Sequence, residues 1–499
     1  MPVERQILNR LHIDSDPARE PAPAVLGVEP RAVAGIAGTL HFEDLVTSVE
    51  AHFPLILAAR TEIEIARARM LGAKGAFDTR LSASGLTDFE GYYENDRVDV
   101  SFEQPLRFSG AKLVGGYRLG AGDFADYDGK AKTNEDGELR FGVKLPLLQG
   151  RAIDSRRVAE WRAEIELEQA QPEILAKRLE TTLKAALTYW SWVASGRRLE
   201  ISRQLLGLAE DRQAQVALGV EEGQLAPIAI KENQRLIVDR RSKLIADERM
   251  LQKAAIELSL FLRDGDGQPI VPADSMLPID FPEARPPKEV LVPGDIGQAL
   301  SRRPELRAAE LELSKLAMDL SLARNTNLPT VELGVFAAQD LGSAVNTPDD
   351  KEEFELTAGL RVGVPLQRSS SRGKAREIQG KMKQQERKLQ FARDVVSADV
   401  QDAASALRQT WERLEQALEN VRLAGDLAEA ERIQVRAGES DLFRLNLREK
   451  QAALAGVTHV SVLQEHFSSI ARYRAVLGVA YDGMRPFSVM DAPGAQGAR

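Results

Sequence analysis

The sequence predicts a mainly α fold with a small β part, built as an internal duplication of long antiparallel helical hairpins. Three observations carry this. "HFPLILAAR" (His52–Arg60) returns as "RRPELRAAE" (Arg302–Glu310), with Pro54 falling on Pro304 and Ala58-Ala59 on Ala308-Ala309. Two stretches, Arg151 to about Val220 and Arg372 to about Arg436, carry one proline (Pro172) and none. Short segments that alternate apolar and polar with period two precede each of these stretches.

Composition sets the outer limits. The chain has 499 residues, 28% of them charged and only 5% aromatic, a balance usual for long helices. A net charge of −9 argues against a nucleic-acid partner, because phosphate binding needs a basic face. With no cysteine, disulfides, thiolate metal sites and cysteine nucleophiles are excluded. His459 and His466 lie seven apart and could share a helix face, but no third ligand is evident, so no metal and no cofactor is expected. There is no P-loop, nucleophile motif or other catalytic set, so no catalytic residue is assigned and no enzyme is expected. No run reaches the roughly 18–20 apolar residues of a spanning helix, and no secretory signal is visible in "MPVERQILNRLHIDSDPARE".

In chain order, residues 1–38 are rich in Pro and Ala and read as a flexible extension. A first repeat follows over 39–263. It opens with a helix from about Phe42 to Gly75, interrupted near Pro54, and continues into strands. "LRFGVKL" (Leu139–Leu145) sets Leu139, Phe141, Val143 and Leu145 against Arg140, Gly142 and Lys144; "RLSASGL", "VDVSFE" and "KLVGGYRLG" are weaker strands. The long helix from Arg151 ends at "GVEEGQLAPIAI", where Gly223 suits the left-handed position after a helix, and a return helix runs from Pro227 to about Leu262. Residues 264–296 hold seven of the 23 prolines and read as a linker or strap. The second repeat, 297–484, has strands at "VELGVFA" and "FELTAGLRVGV", the latter setting Glu355 and Arg361 opposite its apolar side. Its long helix carries an apolar seam of Val396, Val400, Ala403, Leu407, Trp411, Leu414, Leu418 and Val421. Gly438 marks its end, Ser440 or Asp441 can cap the return helix to about Gly478, and 485–499 reads as a tail. At 1.5 Å per residue each long helix is roughly 100 Å, too long for one compact domain.

Four to six strands cannot close a membrane barrel, which needs about eight. An open apolar sheet aggregates unless its edges are paired, and cyclic assembly of identical chains pairs them. The alternation, with Arg140, Lys144, Glu355 and Arg361 on one face, suits a water-filled pore in lipid, but taken alone it favours a half-buried strand in a soluble sheet. The rods fit a hollow helical cylinder and equally a coiled-coil scaffold or spacer.

The chain resembles the TolC family of bacterial outer-membrane efflux and secretion channels. The resemblance spans about Leu40 to Gly483 and rests on "HFPLILAARTEIEIARARMLGAKGAFDTRLS", "LPLLQGR", "VPLQRSSSRG", the tip motifs "EEGQLAPI" and "AGESDLF", and the duplication. It implies a homotrimer whose strands share an outer-membrane β-barrel in contact with lipid and whose helices form an α-barrel, a periplasmic tunnel. This would be a passive exit duct of a tripartite efflux or type I secretion system, engaged at its tips by a periplasmic adaptor and an inner-membrane transporter. It implies tip-docking roles for Gly223, Gln224, Leu225, Pro227, Gly438, Glu439, Ser440 and Asp441, and a gate role for Asp441 with Arg444. Two features depart from the family. The positions six and nine residues after the second tip glycine, acidic in members with a carboxylate ring, are Arg444 and Leu447. The segment Tyr92–Tyr127 separates the two expected strands of the first repeat; four strands per chain, twelve in a trimer, is the expectation, and eighteen follows if that segment joins the wall.

Overall fold

The computed structural model describes residues 38–125, 131–287, 292–343 and 354–480. The tail at 485–499, and all but the last residue of the extension at 1–38, lie outside them. In chain order the elements are α1 (Phe42–His52), α2 (Pro54–Lys74), β1 (Arg80–Asp88), β2 (Asn95–Pro105), β3 (Lys112–Gly122), β4 (Glu138–Pro146), α3 (Ser155–Glu221) and α4 (Ile228–Ser259). The second half holds α5 (Val292–Arg302), α6 (Pro304–Asn325), β5 (Thr330–Asp340), β6 (Phe354–Gly363), α7 (Ser369–Arg436) and α8 (Leu442–Val476).

The duplication is legible in helix lengths. The pairs α1/α5, α2/α6, α3/α7 and α4/α8 have 11 and 11, 21 and 22, 67 and 68, and 32 and 35 residues. Pro54 and Pro304 each open their helix in the first turn, where the missing N–H costs nothing and the fixed φ is already helical. The α3 helix begins at Ser155 rather than Arg151 because Asp154 caps it, its carboxylate accepting from the backbone N–H of Arg156 and Arg157 at 2.8 and 3.1 Å. Pro172 lies inside α3 without ending it. In α7 the seam is buried through Val396, Val400, Ala403, Leu407 and Leu414, then passes to Ala417, and Leu418 is exposed. A straight helix drifts off a fixed 3–4 spacing in this way, so the predicted seam ends one turn early.

The helices form two layers along the rods. Packing runs α2–α3–α6–α7 toward the strands and α4–α3–α8–α7 toward the tips. The main core sits where these layers meet. Trp190 stacks on Phe42 and Phe467 at centroid distances of 5.5 and 4.8 Å, and Trp192, Leu258 and Leu407 are buried around it. The proline-rich segment crosses this level: Phe281 stacks on Trp190 at 5.8 Å, and Arg197 donates to the Ile279 carbonyl at 2.9 Å.

The strands correct the expectation of four per chain. The six strands among the described residues form one antiparallel sheet in the order β1-β2-β3-β4-β5-β6. Relative to the second repeat, β2 and β3 are an added hairpin within the first. No described helix is long and apolar enough to cross a membrane.

Candidate functional site

Two regions carry the chemistry: the sheet and the helix tips. In an antiparallel ladder, directly opposed residues share a face. The observed register therefore places Leu81, Val98, Val100, Phe102, Leu113, Tyr117, Leu119, Leu139, Phe141, Val143, Leu333, Val335, Leu356, Leu360 and Val362 on one face. Arg80, Arg97, Asp99, Glu103, Lys112, Arg118, Glu138, Arg140, Lys144, Glu332, Glu355 and Arg361 lie on the other. The four charged residues singled out from sequence, Arg140, Lys144, Glu355 and Arg361, thus come together on one side. The apolar face is open: Leu81 is 76% exposed, Leu356 68%, and Leu360, Val362, Phe141 and Leu139 are exposed too.

The charged face is cross-linked. Arg118 of β3 pairs with Glu138 of β4 at 2.6 Å, Lys112 of β3 with Glu103 of β2 at 2.9 Å, and Arg140 of β4 with Asp99 of β2. The last pair spans an intervening strand. It can do so because the β3 residue opposite Arg140 is Gly116, which has no side chain to block the way. Lys144 lies over the Phe336 ring at 6.0 Å.

At the first tip, α3 ends at Glu221, and Gly223 takes φ +73°, a left-handed turn that glycine enters at little cost. The N–H groups of Gln224 and Leu225 return to the Gly219 carbonyl at 2.8 and 2.9 Å, and the Leu225 side chain packs on Gly219. Pro227 caps α4. At the second tip Gly438 takes φ +77°, and the Glu439 N–H bonds the Gln434 carbonyl at 2.9 Å. Asp441, not Ser440, is the N-cap of α8: its carboxylate accepts from the Arg444 N–H at 2.8 Å. Ser440 instead donates to Glu431. Both tip glycines face open space, with nothing within 4 Å of a Cβ built on either.

Asp441 and Arg444 also approach through their side chains, at 3.9 Å, but both are about two-thirds exposed. A pair so solvated contributes at most about 1 kcal/mol.

Sequence reasoning missed two features here. The first is an apolar rim: Leu218 and Ile228 at the first tip, and Ile433, Phe443 and Leu447 at the second, are exposed. The second is a buried charge cluster a few turns behind the tips. Glu449 of α8, 3% exposed, is held by Arg212 of α3 and, at 3.3 Å, by Arg240 of α4; Arg212 also donates to Asn446. Burial lowers the Arg240 pKa from its ordinary value, and the Glu449 carboxylate opposes that shift. The cluster bolts the first hairpin to the second. Its partners are too far apart in sequence for spacing to reveal them.

His466, seven residues beyond His459 on α8, is fully buried, with burial pushing its pKa down to about 4. Its Nδ1 lies 3.5 Å from the Thr410 hydroxyl, and its ring packs against Trp411 and Phe467. It is a core residue. Among the described residues no three His, Asp or Glu side chains are grouped to hold a metal ion.

Comparison with known proteins agrees with this geometry. Residues 296–465, spanning most of α5 to α8, match the family model described as outer membrane efflux protein. The chain is 26% identical over 314 residues to the pyoverdine export outer membrane protein OpmQ of Pseudomonas putida, a match that takes in 58% of this chain and 60% of that relative. The outer membrane protein VceC of Vibrio cholerae shares the fold, with a TM-score of 0.63, 14% identity, and coverage of 88% of this chain and 96% of that one. The MtrE outer membrane channel of Neisseria gonorrhoeae, in its open state, does so with a TM-score of 0.62, 14% identity, and 88% and 89% coverage. Over its second half the chain thus matches the outer membrane efflux protein model, and over most of its length it shares the duplicated helical-hairpin fold of TolC-like outer-membrane channels.

Proposed function

We propose that this protein is the passive outer-membrane exit duct of a tripartite efflux or type I secretion system. Three copies close the sheet into a barrel in the outer membrane, and the rods extend the lumen roughly 100 Å through the periplasm. A periplasmic adaptor and an inner-membrane transporter engage the tips at Gly223, Gln224, Leu225, Pro227, Gly438, Glu439, Ser440 and Asp441. Asp441 and Arg444 line the mouth.

The observation that carries this reading is the segregation of the sheet. An apolar face left bare on one side and a lattice of ion pairs on the other suit a wall between lipid and water. The alternative of a soluble coiled-coil scaffold requires a cover for that apolar face, and none of the described helices packs on it. Catalysis has no part in the reading; energy comes from the transporter.

The test is reconstitution. Protein extracted from the membrane fraction with detergent and added to a planar bilayer is expected to produce discrete ion-conducting steps. Recovery in the soluble fraction together with a silent bilayer is the result that defeats the proposal.

A further inference from the structure

Building on the exit-duct reading, we infer that the added β2–β3 hairpin is part of the lipid-facing wall, so that the barrel has eighteen strands, six from each chain, closed by pairing β1 of one copy with β6 of the next. Four observations support it.

First, the hairpin makes a full pass. The strands β2 and β3 have 11 residues each, against 9 to 11 in the other four, and about 9–11 tilted residues span a bilayer. Their turn returns to the helical end of the sheet, where Arg107 pairs with Glu160 of α3 at 2.7 Å and lies over the Phe77 ring at 5.1 Å.

Second, the hairpin obeys the same facial rule as its neighbours. Val98, Val100, Phe102, Leu113, Tyr117 and Leu119 continue the apolar face, and Asp99, Glu103, Lys112 and Arg118 continue the charged one. The Asp99–Arg140 pair ties the hairpin's charged face to β4. A hairpin lying outside the wall would have no reason to keep this register.

Third, polarity permits closure. In a six-stranded antiparallel sheet the first and last strands run in opposite directions, so β6 meets the next copy's β1 antiparallel. Among the described residues nothing pairs with the outer edge of either edge strand, and the two are of similar length, 9 and 10 residues. Their apolar residues Leu81, Leu356, Leu360 and Val362 are among the most exposed in the sheet.

Fourth, the circumferences agree. Each chain sets four helices side by side beneath the strands, α2–α3–α6–α7. Twelve helices at about 8–10 Å spacing make a ring of roughly 95–120 Å. Eighteen strands about 4.8 Å apart and tilted 35–45° make one of roughly 105–120 Å, whereas twelve strands reach only about 70–80 Å. The extra hairpin lets sheet and helices join without a step, and it gives a barrel about one and a half times as wide as twelve strands do.

The chain has no cysteine, so single cysteines can be spin-labelled without background. Val100→Cys and Leu119→Cys probe the apolar face of the hairpin, and Ser101→Cys and Val114→Cys its charged face. Leu360→Cys and Thr357→Cys are the corresponding controls on β6. In lipid vesicles the first two labels are expected to collide mainly with oxygen and the next two mainly with a water-soluble nickel chelate, matching the alternation of the β6 controls. If the controls alternate while all four hairpin labels meet the nickel chelate freely, the hairpin lies outside the wall and the inference fails with the duct reading intact. If the controls do not alternate either, the duct reading itself falls and takes this inference with it.

Discussion

Near the tips, Glu449 has three arginines, Arg212, Arg240 and Arg432, within ion-pair reach of its carboxylate. It is buried between two arginines contributed by a different hairpin. Glu449→Gln takes from Arg212 and Arg240 the carboxylate that pairs with them, a loss on the order of 3–5 kcal/mol when a buried pair is broken from one side. The expected outcome is faster hydrogen exchange in the tip-proximal thirds of α3, α4 and α8; unchanged exchange there contradicts the assignment. His466 makes a prediction about acid. An unfolded histidine protonates near 6.5, while this buried one resists protonation down to about 4. Between those values the unfolded chain holds the extra proton. The stability is therefore fully present above pH 6.5 and falls as pH drops toward 4, by roughly 2–3 kcal/mol per chain. Thermal melting of wild type and His466→Leu is expected to diverge in slope across that window and to run parallel above it. None of this was legible in sequence. The two histidines suggested at most a shared face, and whether that face meets solvent or core depends on Trp411 and Phe467.

At the scale of elements, the tips were the most legible part and the added hairpin the least. A glycine after a long periodic run, then a capping residue, names a helical turn, and both Gly223 and Gly438 adopt the left-handed conformation it requires. Because both face open space, Gly438→Ala is penalised by backbone strain and not by a clash, at about 1–2 kcal/mol, and Gly438→Asn less. Asp441→Ala removes the α8 cap at a cost of about 1 kcal/mol. Both changes are expected to raise amide exchange locally around the second tip while leaving the sheet untouched; an effect spread over the whole chain argues against these local roles. The β3 strand was harder to read because Gly115 and Gly116 interrupt its alternation. The structure supplies the reason: the space above Gly115 is taken by the Phe102 ring of β2, and the space above Gly116 lies close to β2 backbone and Ser101. Side chains from neighbouring strands complete a face that β3 alone shows only in part. Sequence alone gives the period of a strand but not the neighbour that fills its gaps.

For the whole molecule, the open seams are the organising fact. Among the described residues each layer ends in an unpaired margin: β1 and β6 in the sheet, α2 and α7 beneath it, α4 and α7 toward the tips. Those margins carry exposed apolar side chains, among them Leu55 and Leu71 on α2, Val238 and Ile245 on α4, and Phe391 and Leu423 on α7. Burying such surface contributes roughly 25 cal/mol per Å², which a single copy forgoes. Closure about an axis satisfies every margin with the same contact repeated. The apolar face of the sheet adds a directional test. In the proposed barrel, Leu360→Arg would place a charge in the lipid, costing up to about 2–4 kcal/mol at mid-depth, and is expected to lower the yield of assembled particles; Thr357→Arg, on the charged face, is expected to leave it unchanged.

The most direct measurement is the native mass of the detergent-extracted protein. A particle of three chains that loses solubility when detergent is withdrawn is expected. A single chain that stays dispersed in plain buffer would contradict it.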